Sequence, residues 1–337
     1  MSKTISVIIP AYNVGEFIGK CLQSVLSQTY KELEVIVVND GSTDDTGDII
    51  TKYSYDPRLI FIDQKNQGVT TARNNGINAA TGELISFVDS DDWLESDKYE
   101  KMYTVMIESK ADMAVCDHNL IDKDRIAYKY SGMQDEVVDI IAPDYFLKYC
   151  CCPKPNNYLW TRLYKADIIR KSGLRFEKFT HGEDTLFNFK LLPHIKRIAN
   201  ISEGLYNYLQ RESSNVQSIA RRSNLAAMYA DTFDSLVDYY RTNNYEKFLE
   251  AMPIHAYTRV RSIFFYSRLA GMDESYIVRN IGDGFKNRKI AEYLRDTAIV
   301  KKYVLLNNMP QDMTGEVERI MRYAASKPEK LIGVNIA

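Results

Sequence analysis

Short apolar runs and amphipathic stretches alternate along the first 117 residues. Ile5-Ser-Val-Ile-Ile9 is a run of strand formers closed by Pro10, and Ile18, Leu22, Val25 and Leu26 then recur at helical spacing. Leu33 to Val38 reads as a second strand ending in Asn39-Asp40-Gly41-Ser42, and Thr43-Asp44-Asp45 opens a helix through Tyr53 with the residue types that first turns favour. Leu59 to Ile62 is a third strand, and the helix after Asn66-Gln67-Gly68 runs through Ala79-Ala80 to a stop at Gly82. Leu84 to Val88 is a fourth strand, Lys98 to Lys110 a helix and Met113 to Cys116 a fifth strand. This alternation predicts an α/β fold: a mostly parallel sheet flanked by helices, with the loops at the strand carboxyl ends gathered along one ligand-binding edge.

From residue 118 to about 218 the pattern is mixed. It includes a Cys/Pro segment at 150 to 155, the run Leu159-Trp160-Thr-Arg-Leu-Tyr164 and an amphipathic helix starting near His181. After residue 219 the spacing is helical: Leu225, Met228, Tyr229, Phe233, Leu236, Val237 and Tyr240 share one face, and Phe248, Leu249, Met252, Val260, Ile263 and Phe264 continue it less regularly. The organisation expected is a strand-and-helix half at 1–117, a second half at 118–218 completing one domain, and a helical C-terminal region at 219–337.

Composition narrows the class. Hydrophobic residues make up 45% and charged residues 26% of 337, the balance of a globular enzyme, and a net charge of −2 gives no reason to bind nucleic acid. The part after residue 219 carries 18 Lys/Arg against 14 Asp/Glu and so is near +4, a hint of an anionic partner surface. Arg259-Val-Arg-Ser-Ile-Phe-Phe-Tyr-Ser-Arg268 suits either a peripheral lipid interface or an ordinary core helix with solvated arginines. No apolar run has the length of a membrane span and no signal-peptide pattern opens the chain, so a cytoplasmic protein is expected. The five cysteines show neither Cys-x-x-Cys nor zinc spacing, which predicts reduced thiols, with Cys150-Cys151-Cys152 a packed or loop stretch.

The densest chemistry is Phe87-Val-Asp-Ser-Asp-Asp92, where a buried-strand pattern ends in three carboxylates. Acids this close repel unless neutralised, and an all-oxygen cluster suits Mg²⁺ or Mn²⁺ better than zinc. A bare Asp-x-Asp is also a common helix-capping turn, so the residues alone leave both readings open. Asp40-Gly41-Ser42 offers a carboxylate acceptor beside a residue that lets a ligand approach the backbone. Neither Gly-x-Gly-x-x-Gly nor Gly-x-x-x-x-Gly-Lys-Ser/Thr is present, which disfavours dinucleotide and P-loop chemistry. An Asp-x-Asp phosphatase is disfavoured because the motif follows the fourth strand.

Val7-Ile-Ile-Pro-Ala-Tyr-Asn13, Val38-Asn-Asp-Gly-Ser-Thr-Asp44, Asn66-Gln-Gly-Val-Thr-Thr-Ala-Arg-Asn74 and Phe87-Val-Asp-Ser-Asp-Asp92 resemble, in order, the successive signatures of family 2 glycosyltransferases with the A-type nucleotide-sugar fold. The likeness covers residues 4 to 117 strongly and extends more loosely to about 218. It implies a Rossmann-like, mostly parallel mixed sheet and an inverting transfer of sugar from a nucleotide diphosphate donor, uridine the expected base, in bacterial surface-glycan synthesis. The acceptor would be a glycan, lipid-linked or protein-linked. Pro10, Ala11, Tyr12, Asp40 and Asn66 would hold the nucleotide, Arg73 would support the nucleotide or diphosphate, and Ser90 would lie with them. Asp89 would face the ribose or the metal, and Asp91 would bind the Mn²⁺ or Mg²⁺ bridging the diphosphate. Glu183-Asp184 implies a catalytic base, Asp184 first and Glu183 as its alternate, against the plainer reading of a helix cap. Arg211, in Tyr206-Asn-Tyr-Leu-Gln-Arg-Glu-Ser-Ser214, would close over the diphosphate. Trp160 suits a sugar platform or a core position equally. The C-terminal helices offer a surface for self-association or membrane contact. A non-catalytic nucleotide-sugar or glycan-binding module is the reading from another class, and a nucleotidyltransferase is disfavoured for want of a glycine-rich triphosphate loop.

Overall fold

In a computed structural model, residues 2–122, 125–129, 134–139, 145–146, 148, 156–211, 224–269, 271–286 and 288–294 are described. Their strands are β1 (Ile5–Ala11), β2 (Leu33–Asp40), β3 (Leu59–Gln64), β4 (Leu84–Phe87), β5 (Trp93–Leu94), β6 (Met113–Asp122), β7 (Arg125–Lys129), β8 (Glu136–Asp139), β9 (Arg162–Lys165) and β10 (Arg197–Leu209). They form a single mixed sheet in the order β3-β2-β1-β4-β9-β6-β10-β5, with β7 beside β6 and β8 beside β10. β1 pairs in parallel with both β2 and β4, and β2 with β3, so four carboxyl ends face the same way. Strand order reverses at β1, and the crevice outside such a reversal is where open α/β sheets bind ligands.

The apolar runs read as β1, β2 and β4 are buried as a sheet covered on both faces requires, whereas β3, at the end of the strand order, leaves Ile60 exposed. Every residue of β1 is buried. Helix α1 (Gly15–Leu26) turns Ile18, Cys21, Leu22 and Val25 inward, and α2 (Thr46–Thr51) buries Ile50. Helix α3 (Val69–Ala79) lies close on β1 because Gly76 has no side chain: a Cβ there would stand 2.3 Å from Ile8 Cγ2. Helix α4 (Lys98–Ser109) contributes Tyr99, Met102 and Met106 to the same core as Val7, Val35 and Leu163.

Two features depart from the expected pattern. β6 continues six residues beyond Cys116, and β10, thirteen residues long, lies parallel to it. The register of that pair shifts on either side of Gly204, and this bulge breaks the two-residue alternation by which a strand is recognised. The run 159–164 divides into a 3₁₀ turn, Leu159–Thr161, and β9, antiparallel to β4 and β6.

The chain divides into two units whose boundaries interleave in sequence. The first takes the residues up to 140, 156–178 and 194–211, and so holds all ten strands and helix α5 (Ala166–Ser172). The second takes Tyr145, Phe146, 179–193 and the described residues from 224 onward. There the helix Leu225–Thr242 buries all seven residues that its spacing put on one face. Helix α6 (Glu183–Leu191) buries every residue from Leu186 to Leu191. The helices Met252–Leu269, Glu274–Phe285 and Lys289–Tyr293 complete this unit's described part. Fully buried His255 sits among the rings of Phe146, Phe189 and Phe233, its pKa pushed well below the ordinary value by burial and then by Arg259. Arg259 donates to His255 Nε2 at 3.3 Å and lies over the Phe189 and Tyr229 rings, so this arginine of the 259–268 stretch packs inside its unit. Among the described residues no helix is long and apolar enough to cross a membrane. The cysteine triplet at 150–152 lies outside the described residues.

Candidate active site

The loops after β1 and β2 are stitched together by their own polar side chains. Ser42 Oγ accepts the Asn13 N–H at 3.0 Å, Asn13 Oδ1 accepts the Thr43 N–H at 2.8 Å, and Thr46 Oγ1 accepts the Val14 N–H at 2.9 Å. Pro10 and Ala11 end β1 in the buried layer, paired with Val38 and Asn39, while Tyr12 beyond them is 48% exposed.

Asp40, at the carboxyl end of β2, is buried and spends both carboxylate oxygens on the loop that leads into α3. Oδ1 accepts Gln64 Nε2 at 2.7 Å and the Gln67 N–H at 2.9 Å; Oδ2 accepts the Gly68 N–H at 2.8 Å. An ionised carboxylate has about four acceptor directions, so one remains for a ligand N–H. Gly41 beside it takes φ +71°, and a Cβ there would stand 2.6 Å from the Asn66 backbone nitrogen. This close approach brings the β2 and β3 loops together and leaves Asn66 exposed at the rim.

Helix α3 then carries Arg73, buried, to the acid turn that follows β4. Its guanidinium donates to Asp89 Oδ1 at 3.1 Å. Asp91 is paired in the same way with Arg211, whose guanidinium also lies 4.8 Å from the Phe17 ring centroid on α1. The two acids of Asp-x-Asp thus each hold an arginine brought from a different element, and their side chains keep 31% and 19% exposure. Ser90 between them is buried.

Asp92 faces inward. Its carboxylate is 1% exposed and accepts the Tyr206 hydroxyl at 2.7 Å and the Leu209 N–H at 2.8 Å. Burial, then the charges of Asp91 and Asp89, push its pKa well above the usual carboxylate range. Beneath lies Lys98, fully buried, donating to the Trp160 carbonyl at 2.8 Å and lying 4.8 Å from the Tyr206 ring centroid. Burial lowers its pKa to about 8, against the opposing pull of Cys116 and Asp92. Trp160 is stacked on Tyr158 and Tyr206 and is 5% exposed, which makes it a core ring of this unit.

Glu183 and Asp184 lie in the second unit, in the first turn of α6, where the helix dipole favours acids. Asp184 Oδ1 accepts the Thr185 N–H at 2.7 Å, and Gly182 ahead of it takes φ +78°. Of the pairings described, the pattern gave no signal for Tyr206 and Lys98. Tyr206 is 114 residues from Asp92 in sequence, and a lysine following Asp97 reads as a solvated helix start.

A family model described as glycosyl transferase family 2 matches residues 6–173. The glycosyltransferase GlyG of Streptococcus pneumoniae is 33% identical over 222 residues, covering 64% of this chain and 73% of that protein. The glycosyltransferase GlyA of the same organism is 35% identical over 217 residues, 62% of this chain, but these span only 31% of its own length. Among solved structures, Staphylococcus aureus TarS residues 1–349 in complex with UDP-GlcNAc superposes with a TM-score of 0.69 at 20% identity, covering 97% of this chain and 92% of that one. The mannosyltransferase PcManGT of Pyrobaculum calidifontis, in complex with GDP-Man and Mn²⁺, does so with a TM-score of 0.55 at 16% identity, over 97% and 87%. At those identities the two structures speak to the fold, which is the A-type glycosyltransferase fold.

Proposed function

The chain belongs to glycosyl transferase family 2 and is a glycosyltransferase, and we propose that it moves one sugar, with inversion, from a uridine diphosphate donor to an acceptor hydroxyl with the help of a divalent cation. The observation that carries this reading is the meeting of Arg73–Asp89 and Arg211–Asp91 at the sheet edge that also holds Asp40. Two fixed guanidiniums beside two carboxylates suit a diphosphate bridged by a cation. Arg211 Nε is buried with no hydrogen-bond partner, a donor that a phosphate oxygen would satisfy. The remaining acceptor direction of Asp40 fits the N–H of a uracil ring, beside Pro10, Ala11, Tyr12 and Asn66. UDP-GlcNAc bound to the similar TarS supports that base.

The residues also fit a divalent ion. Among the described residues no three His, Cys, Asp or Glu side chains group to hold a metal, but Mg²⁺ and its like take one or two carboxylates and fill the shell with substrate phosphate and water. Asp91, with Asp89, would hold it, and the Mn²⁺ beside GDP-Man in PcManGT supports such a site. When bound, the ion supplies positive charge against the departing diphosphate. Arg211 and Arg73 add theirs from the protein, in place before the reaction. Asp184 takes the proton of the acceptor hydroxyl, with Glu183 next to it as the alternate base, and a single displacement inverts the anomeric carbon.

We assign residues 1–218 to the catalytic part, with Ser90 in the donor pocket, and the helices after 219 to a face for self-association or for a membrane-bound acceptor in surface-polysaccharide synthesis on the cytoplasmic side. The positive charge of residues 219–337 supports that face, and sedimentation with anionic-liposome flotation tests it. The donor is tested by calorimetry with a panel of nucleoside diphosphates and Mn²⁺. UDP should bind at least tenfold tighter than GDP or ADP, in keeping with a base-specific acceptor at Asp40, and equal affinity for all three would overturn the base assignment.

A further inference from the structure

The acid turn is tied to the end of β10 by bonds that the transfer chemistry does not require. Buried Asp92 accepts the Tyr206 hydroxyl through Oδ2 and the Leu209 N–H through Oδ1, while the same hydroxyl accepts the Asp89 N–H at 3.1 Å. Tyr206 thus bridges the first and last acids of the turn. Its ring is stacked 4.2 Å from that of Trp160 at 19°, and the Trp160 carbonyl accepts from Lys98. Beyond Leu209, the Gln210 N–H donates to the Ile121 carbonyl at 2.8 Å, and the next residue is Arg211, lying on Asp91 and over Phe17. The backbone that carries Arg211 thus starts from a strand end that Asp92 holds.

We propose that Asp92 and Tyr206 are positioning residues that fasten the end of β10 to the acid turn and so hold Arg211 at Asp91, set to receive the donor's diphosphate. Neither side chain faces the donor; both act through Arg211. The ligand named here rests on the function proposed above, and the tether itself rests on the bonds alone. A merely structural role for Asp92 predicts lost stability with no special link to Arg211.

A double-mutant cycle separates the two. Arg211→Ala should weaken UDP binding in the presence of Mn²⁺ by about tenfold or more, the loss expected for hydrogen bonds to a charged group, and leave UMP binding within about threefold. Asp92→Ala and Tyr206→Phe should reproduce this UDP-selective loss. In the Arg211→Ala background each should add less than about threefold, since the residue they act through is gone. Asp92→Asn keeps an acceptor for Leu209 and a polar group for Tyr206, so it should restore UDP affinity nearly to that of the unaltered protein and covers the case in which Asp92→Ala fails to fold. Losses that multiply in the double variants, or equal losses for UDP and UMP, overturn the proposal. On the ligand-free protein, amide exchange across 205–211 should quicken in Asp92→Ala and not in Asp92→Asn, with β1 unchanged. Unaltered exchange there overturns the tether whether or not UDP binds, whereas an unaltered protein that binds no UDP counts against the function proposed above.

Discussion

Replacing Asp40 with alanine should loosen the β2 edge before it affects chemistry. The carboxylate is 3% exposed and satisfies three donors, two of them the backbone N–H groups of Gln67 and Gly68 that open α3. A buried donor left without its partner costs about 1–3 kcal/mol, so two orphaned amides bound the loss at roughly 2–6 kcal/mol. Water entering the vacated space brings the expected value to about 3 kcal/mol. For a unit of this size that is a fall in Tm of roughly 6–12 °C. Asp40→Asn keeps one acceptor oxygen but turns an amide donor toward the remaining N–H groups, so its loss should be smaller yet clear. Differential scanning calorimetry on the three proteins reads this directly, and UDP titrations on the folded variants read the second consequence, weaker binding as the Asn66-Gln67-Gly68 loop loses its anchor. A Tm within about 1 °C of the unaltered protein in Asp40→Ala would refute the idea that this carboxylate holds the loop.

Asp184→Asn keeps the shape of the first turn of α6 and removes the basicity; transfer should fall by about 10²-fold or more with UDP affinity nearly unchanged, as stopped assays and calorimetry would show. Glu183→Gln should do less, and the reverse order would move the base to Glu183. Exhaustive chelation, or Asp91→Ala, should abolish donor turnover, with Mn²⁺ restoring it only in the protein that keeps Asp91; full activity in either case counts against the metal role. Lys98 titrates near pH 8 when folded against its ordinary 10.5, so between those values the unfolded chain binds the extra proton and stability gains with rising pH. Below pH 8 both states are charged and the burial cost, about 3 kcal/mol from a shift of that size, is fully felt. Urea midpoints for Lys98→Met should therefore lack that gain between about pH 8 and 10.5, and identical pH profiles for the two proteins would show that folded Lys98 keeps its proton up to the ordinary value, so that burial does not lower its pKa.

What could be read from the sequence was local in kind. The four strand–loop signatures stand at consecutive carboxyl ends of β1 to β4, and the apolar spacing of residues 225–240 gives the buried face of its helix without error, because both signals lie within a few residues of one another. Asp40 could be singled out as an acceptor, but its partners Gln67 and Gly68 come from a loop 27 and 28 residues away. Which charge meets which acid depends on strand pairing across the sheet: Arg211 reaches Asp91 over 120 residues, along a strand whose alternation the Gly204 bulge hides. Buried Lys98 carries no mark in the sequence, since its surroundings, the Trp160 carbonyl and the Tyr206 ring, exist only once β9 and β10 have been laid beside the acid turn. The composition of the stretch 259–268 left a lipid face and a core helix both open, and it is helical packing that places Arg259 among Phe189, Tyr229 and His255.

The central claim, inverting and metal-dependent release of a sugar from a nucleotide diphosphate, is tested most directly by following UDP-sugar hydrolysis by ¹H NMR with Mn²⁺ and water as the acceptor. The first sugar released from an α-linked donor should be the β anomer, in step with UDP, and should vanish in Asp91→Ala. Initial release of the α anomer, or undiminished release without a divalent cation, would contradict the account.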